Sequence, residues 1–213
     1  MDKNRLWYIE KQVERVIKGL NGNNMDGYFV QDEDELTNKL KEFIKEGETI
    51  GVGDSVTLDE TGVLDFLRSG KYIFLDKYDK NLTKEEKKEI YIKNFSTDTF
   101  LCSTNAITES GELYNIDGNG SRVAPIIYGP KQVIIVTGIN KIVKDLEEAS
   151  RRVRSFAAPI DAKRLGKDTP CTKLGYCVDC KSKERICNSF VTISGQFIKG
   201  RIRVIIVNKD LGY

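Results

Sequence analysis

The spacing of apolar residues alternates along this chain between a strand-like and a helix-like period, and that alternation limits the fold more than any other feature. Leu6, Ile9, Val13, Val16, Ile17 and Leu20 recur at intervals of three and four, which predicts an opening helix that stops at Asn21-Gly22-Asn23-Asn24. Residues 27–30 read as a strand. Asp32 then caps a helix with Glu35 three positions on and Leu36, Leu40, Phe43 and Ile44 on its buried face, ended by Gly47. The pattern repeats: a strand at 49–52 and a helix to about residue 67, then a strand at 72–75 and a charged, solvated helix boxed by Thr83 and Glu86. Strands at 99–103 and 133–136 follow, the latter wholly β-branched and suited to burial on both faces. Asp145 and Glu148 cap a basic helix to about residue 158, and strand-like runs close the chain at 190–194 and 202–207. Strands separated by single helices imply a mainly parallel, Rossmann-like α/β sheet with helices on both faces. Residues 105–116 read as a hairpin turning at Ser110-Gly111. The whole of 1–213 reads as one α/β domain in which 159–189 forms a long cysteine-rich loop.

Composition narrows the class. An apolar fraction of 39% and a charged fraction of 31% are those of a globular chain with a substantial core. No run approaches the roughly 18 apolar residues of a membrane span, so no membrane partner is expected. The start, Met1-Asp2-Lys3-Asn4-Arg5, leads into an amphipathic pattern rather than an apolar signal core, and the expected location is cytoplasmic. Residues 1–150 carry a formal −7 and residues 151–213 a formal +9. That basic excess could attract nucleic acid, but stacking aromatics are sparse there and a nucleic-acid partner is unlikely on this reading. The charge otherwise neutralises the acidic half, or offsets a thiolate–metal centre. Trp7 and Tyr8 are expected to fill helix–sheet or subunit contacts.

The chain has no histidine, which excludes Ser-His-Asp and Cys-His chemistry. Four of its five cysteines, Cys171, Cys177, Cys180 and Cys187, follow a C-x5-C-x2-C-x6-C spacing. Four thiolates suit zinc, and they also suit an iron–sulfur cluster, although the spacing matches neither common ferredoxin run. Free thiols or a redox pair at Cys177 and Cys180 stay open beside these. Cys102 reads as a packed hydrophobe within its strand.

Three glycine-bearing loops are candidate ligand sites. Gly51 and Gly53 precede Ser55 at a strand-to-helix turn, where Ser55 either caps the helix or helps bind an anion. Only two glycines of a G-x-G-x-x-G are present, Val56 standing in the third position, so neither an NAD nor a flavin fingerprint exists. Asn105 and Glu109 follow a strand's carboxyl end, and Glu109 is a candidate catalytic base if buried. Asp117, Gly118, Asn119, Gly120 and Arg122 form the third loop. Arg122 is the only Lys or Arg between Lys93 and Lys131, and its planar fork suits a carboxylate or phosphate. Asp117 is a candidate catalytic residue that either orients Arg122 or accepts a substrate hydroxyl. Together the loops predict a site for a small anionic metabolite.

The phrases Gly51-Val52-Gly53-Asp54-Ser55-Val56-Thr57-Leu58, Thr104-Asn105-Ala106-Ile107-Thr108-Glu109-Ser110-Gly111, 115–123 (Asn115-Ile116-Asp117-Gly118-Asn119-Gly120-Ser121-Arg122-Val123) and Cys177-Val178-Asp179-Cys180 resemble the lactate-utilisation (LUD) domain family. The likeness spans almost the whole chain and is nearest to its stand-alone, cysteine-containing branch. It implies a fold like that of sugar-phosphate isomerases and CoA transferases, and by analogy with the latter a nucleophilic role for Glu109. It also implies an accessory place in a lactate-oxidising system; the alternative to metabolite binding is a non-catalytic subunit that docks through its basic cysteine-rich segment, with iron–sulfur protein partners or a homo-oligomer.

Overall fold

The computed structural model describes residues 2–213. Helix α1 (Lys3–Gly22) leads into β1 (Asp26–Val30), α2 (Glu33–Phe43), β2 (Thr49–Val52), two short helices α3 (Val56–Glu60) and α4 (Val63–Leu67), and β3 (Ile73–Phe74). Next come α5 (Lys84–Lys93), β4 (Thr99–Cys102), the pair β5 (Ala106–Thr108) and β6 (Leu113–Asp117), and α6 (Val123–Ile127). The chain closes through β7 (Gln132–Gly138), β8 (Ile142–Val143), α7 (Leu146–Arg152), α8 (Ala158–Arg164), α9 (Pro170–Leu174), β9 (Ser189–Ile193) and β10 (Ile202–Val207).

Six strands form one all-parallel sheet in the order β1-β10-β7-β4-β2-β3. Alternating residues of its central strands feed two cores. Ile134, Val136, Ile205 and Val207 pack with Leu36 and Leu40 of α2 and Leu58, Leu64 and Leu67 of the short helices. Val133, Ile135, Val204 and Ile206 face the other way, onto Ile9, Val13, Val16 and Leu20 of α1 and onto Ile107 and Leu113. Burying each such side chain stabilises by about 1.5–3 kcal/mol, so the β-branched centre of β7, closed off on both faces, anchors the molecule.

The helix starts follow their caps. The Asp32 carboxylate accepts from the Glu35 N–H at 2.9 Å, the Asp145 carboxylate from the Glu148 N–H at 2.9 Å, and Thr83 and Glu86 form a reciprocal box. No side chain of α5 is buried, as its charged face requires.

Four expectations change. The hairpin turning at Gly111 exists, but it belongs to a second sheet, β8-β5-β6-β9, in which the run before β10 pairs antiparallel with β6. The helix after Ser55 is broken in two where Gly62 takes a left-handed φ of 68°. Helical structure also continues past residue 158 to Arg164: a π-helical turn at Val153–Ala157 leads directly into α8, whose second residue, Pro159, brings no N–H to the ladder. Trp7 and Tyr8 lie on the outer face of α1, 60% and 53% exposed, and fill no helix–sheet contact.

Candidate functional site

Strands β7, β4 and β2 are parallel neighbours, so their carboxyl ends open at one edge of the sheet, where open α/β folds bind ligands. The loops leaving them converge with the turn after β6, with α8 and with the cysteine-rich segment on a cavity of about 560 Å³. Ser55, Asn105, Asp117, Gly118, Asn119 and Arg122 line it. The expected meeting of three loops at one rim is therefore present, with different roles for several of its members.

Arg122 is a keystone rather than a free arm. Its Nη1 donates to the Ser103 carbonyl at 3.0 Å and the Asn115 Oδ1 at 2.6 Å. Its Nη2 donates to the Asn105 Oδ1 at 2.9 Å and the Ile116 carbonyl at 2.8 Å. Asp117 stands 3.4 Å from its Nε, and both side chains are buried. The Asp117 Oδ1 also accepts from the Gly120 N–H at 2.8 Å, closing the loop as an Asx turn. Asp117 thus orients Arg122, the first of its two expected roles. Asn119 accepts from the Ser121 N–H at 3.0 Å, and Gly120 bends the turn with a φ of 86°.

The glycine face is likewise structural. A Cβ on Gly53 would lie 2.8 Å from both the Arg122 Cγ and the Cys102 Cβ, so this glycine makes room for the arginine stem. One on Gly51 would lie 2.3 Å from the Asn94 Oδ1, inside the packed sheet. The Ser55 Oγ accepts from the Leu58 N–H at 3.2 Å and caps a helix of only five residues. Asp54 is paired at 2.8 Å with the buried Lys77, whose pKa falls from its usual value, mainly through burial.

Glu109 does not line the cavity. Arg15 of α1 donates to both its carboxylate oxygens, at 2.6 and 2.8 Å, and Gln12 adds a contact at 3.4 Å. The Arg15 hydrogen bond is the largest cause holding Glu109 below the usual carboxylate range, the reverse of what a neutral-pH base needs. A turn residue of β5–β6 faces the first helix because Gly19 and Gly111 let their backbones meet.

Lys141 is the residue the motifs missed. It sits in the turn after β7, only 3% exposed, with its Nζ donating to the Thr57 Oγ1 at 2.9 Å and the Ser103 Oγ at 3.1 Å. Burial pushes its pKa down to about 7, helped by Arg152 and Arg122 and opposed by Glu60. Arg152, also depressed by burial, is held by the Asn105 and Asn140 carbonyls. Such an amine switches near neutrality between an anion-binding ammonium and a base. One sign was legible: Lys141 is the sole charged residue between Lys131 and Lys144.

Cys171, Cys177, Cys180 and Cys187 line a second, much smaller cavity, and all are free thiols. Among the described residues, no group of three or more Cys, Asp or Glu side chains is already arranged to hold a metal ion. Cys102 is wholly buried, and burial pushes its thiol up to about 12, as for a packed hydrophobe. No helix among the described residues is long and apolar enough to cross a membrane.

No curated protein matches the chain in sequence. Among solved structures, a DUF162 family protein from Deinococcus radiodurans superposes with a TM-score of 0.55 at 13% identity, covering 93% of this chain and 98% of its own. That likeness carries the fold. Weaker overlaps are eIF2B beta from Chaetomium thermophilum (TM-score 0.36, 14% identity, 55% of this chain and 44% of that one) and ribose 5-phosphate isomerase from Plasmodium falciparum (0.33, 18%, 53% and 52%). The LUD domain family profile matches residues 13–207, nearly the full length, and the chain belongs to the LUD domain family.

Proposed function

We propose that this lactate-utilisation-related protein binds a small anionic metabolite, of the hydroxy-acid or oxo-acid class, in the cavity at the carboxyl edge of its parallel sheet. The observation that carries the reading is Lys141. A buried ammonium whose hydrogen bonds go to two hydroxyls, and not to a carboxylate, has an unspent preference for an anion. Arg122 supports the site from behind: its guanidinium locks the loops after β4 and β6 together, fixing Asn105 and Asp117. Lys167 and Lys183 on the cavity wall add positive potential, while Arg164 there is paired with Asp161 at 2.7 Å.

Lactate, pyruvate and inorganic phosphate are the probes, with binding followed by calorimetry and thermal shift. Stabilisation by at least one of them in the parent, lost in Lys141→Met, is expected. Equal stabilisation of the two proteins would remove Lys141 from the site, and no response to any of the three would remove the ligand class. A second expectation fixes the sign. An anion that binds the protonated amine raises its pKa, so binding takes up a proton and weakens as pH rises through about 7.

A further inference from the structure

We infer that the four cysteines lining the smaller cavity form a thiolate site for a single soft divalent ion of the zinc class. Cys171 lies on α9, Cys177 and Cys180 on the turn after it, and Cys187 just before β9, yet all four reach one cavity of about 30 Å³. The stretch around them needs a cross-link. Between Ala162 and Ile202 no apolar side chain is buried, and Leu174, Tyr176 and Val178 are each about half exposed or more. β9 is held by the β6 ladder, but the stretch before it has little hydrophobic burial to fix its path, and a metal bound through four side chains would supply a cross-link there.

Polar groups lie against two of the sulfurs. The Asp179 N–H donates to the Cys177 Sγ at 3.4 Å, and the Thr169 hydroxyl lies 3.2 Å from the Cys171 Sγ. Asp179 adopts a left-handed φ of 49°, which doubles the chain back between Cys177 and Cys180 and turns both toward the same cavity. Charge helps in part. Four thiolates around a divalent cation leave a net −2, and Arg154 and Arg185 on the cavity wall, both paired with Asp179, offset part of it. Arg185 also donates to the Cys187 carbonyl at 2.7 Å and to the Cys180 carbonyl, tying the arginine to two of the four ligand positions.

Spacing and ligand chemistry point to the class. The C-x5-C-x2-C-x6-C spacing matches neither common ferredoxin run, which favours a lone ion over a cluster. With no histidine in the chain, the ion must be one content with sulfur alone, which zinc is. The sulfurs line the walls without yet forming a coordination sphere, so binding an ion requires rotation about their Cα–Cβ bonds.

The full chain, purified anaerobically, is analysed for zinc, iron and sulfide, and its thiols are titrated with a chromogenic disulfide before and after addition of zinc alone. One zinc per chain, protection of four thiols, and loss of both in Cys177→Ser but not in Cys102→Ala are expected. Stoichiometric iron and sulfide with a broad visible absorption would overturn the single-ion assignment. Thiols equally reactive with and without zinc, or a disulfide among the four, would overturn the site itself. The thiol measurement on the parent chain stands even if Cys177→Ser fails to fold.

Discussion

Removing the Arg122 guanidinium should cost the protein a large share of its stability. The side chain is 7% exposed and satisfies four acceptors while facing Asp117. Arg122→Ala strands those acceptors and leaves a buried carboxylate without its cation. Breaking a buried pair by removing one partner costs about 3–5 kcal/mol. Its neighbour, a sizeable cavity, lets water reach some stranded groups, which argues for the lower half of that range. Each kcal/mol moves the midpoint of a domain of this size by about 2–4 °C, so a fall on the order of 10 °C is expected. Arg122→Lys should recover only part of the loss, because an ammonium keeps the charge but cannot span four acceptors with a planar fork. Urea and thermal unfolding, followed by circular dichroism, read the effect. If Arg122→Ala unfolds with the parent while losing its response to lactate, pyruvate or phosphate, Arg122 is a ligand arm and the keystone argument is wrong.

The depressed pKa of Lys141 predicts a stability difference that depends on pH. Between its folded value of about 7 and its unfolded value near 10.5, the unfolded chain binds the extra proton, so this group's penalty is full below pH 7 and fades as pH rises. Lys141→Met should therefore gain on the parent at pH 6 relative to pH 10 in denaturant titrations; a pH-independent difference would refute the burial argument. Glu109→Gln should leave ligand-induced stabilisation intact, since Glu109 pairs with Arg15 away from the cavity; loss of the ligand response would restore it as a site residue. Gly111→Ala should destabilise by well over about 1 kcal/mol, because a Cβ there meets the Leu20 N at 2.3 Å on top of a left-handed φ, whereas Gly47→Ala, with open space around it, pays only the backbone strain. Comparable losses in the two glycine variants would count against the close helix–hairpin approach.

The parallel sheet was readable because each strand and helix announces its own period and its own cap, from Asp32 and Thr83 to the Val133–Val136 run. The second sheet was not, since β8 has only two residues and β9 pairs with a strand far away in the chain. For the site, the loops were legible and the roles were not. Glycine at 51 and 53 signals a close approach, but whether the visitor is a ligand or Arg122 depends on tertiary packing. Glu109 looked available because nothing in the local sequence reveals an arginine 94 positions earlier. Lys141 carries no motif, and its perturbation comes from burial among Thr57, Ser103 and Arg152, which three separate segments supply.

Cys187, Arg185 and Ala158 border both cavities, and the residue after Cys187 grips the turn of Asp117: the Asn188 N–H donates to the Asp117 carbonyl at 3.1 Å and its Nδ2 to the Gly118 carbonyl at 3.1 Å. The two hollows therefore share a party wall. If an ion and a metabolite bind as proposed, drawing the Cys187 sulfur toward the ion would disturb the wall of the larger cavity, and by thermodynamic reciprocity the metabolite would change the ion's hold by the same factor. Oxidation of those sulfurs would then be felt next door as altered metabolite uptake.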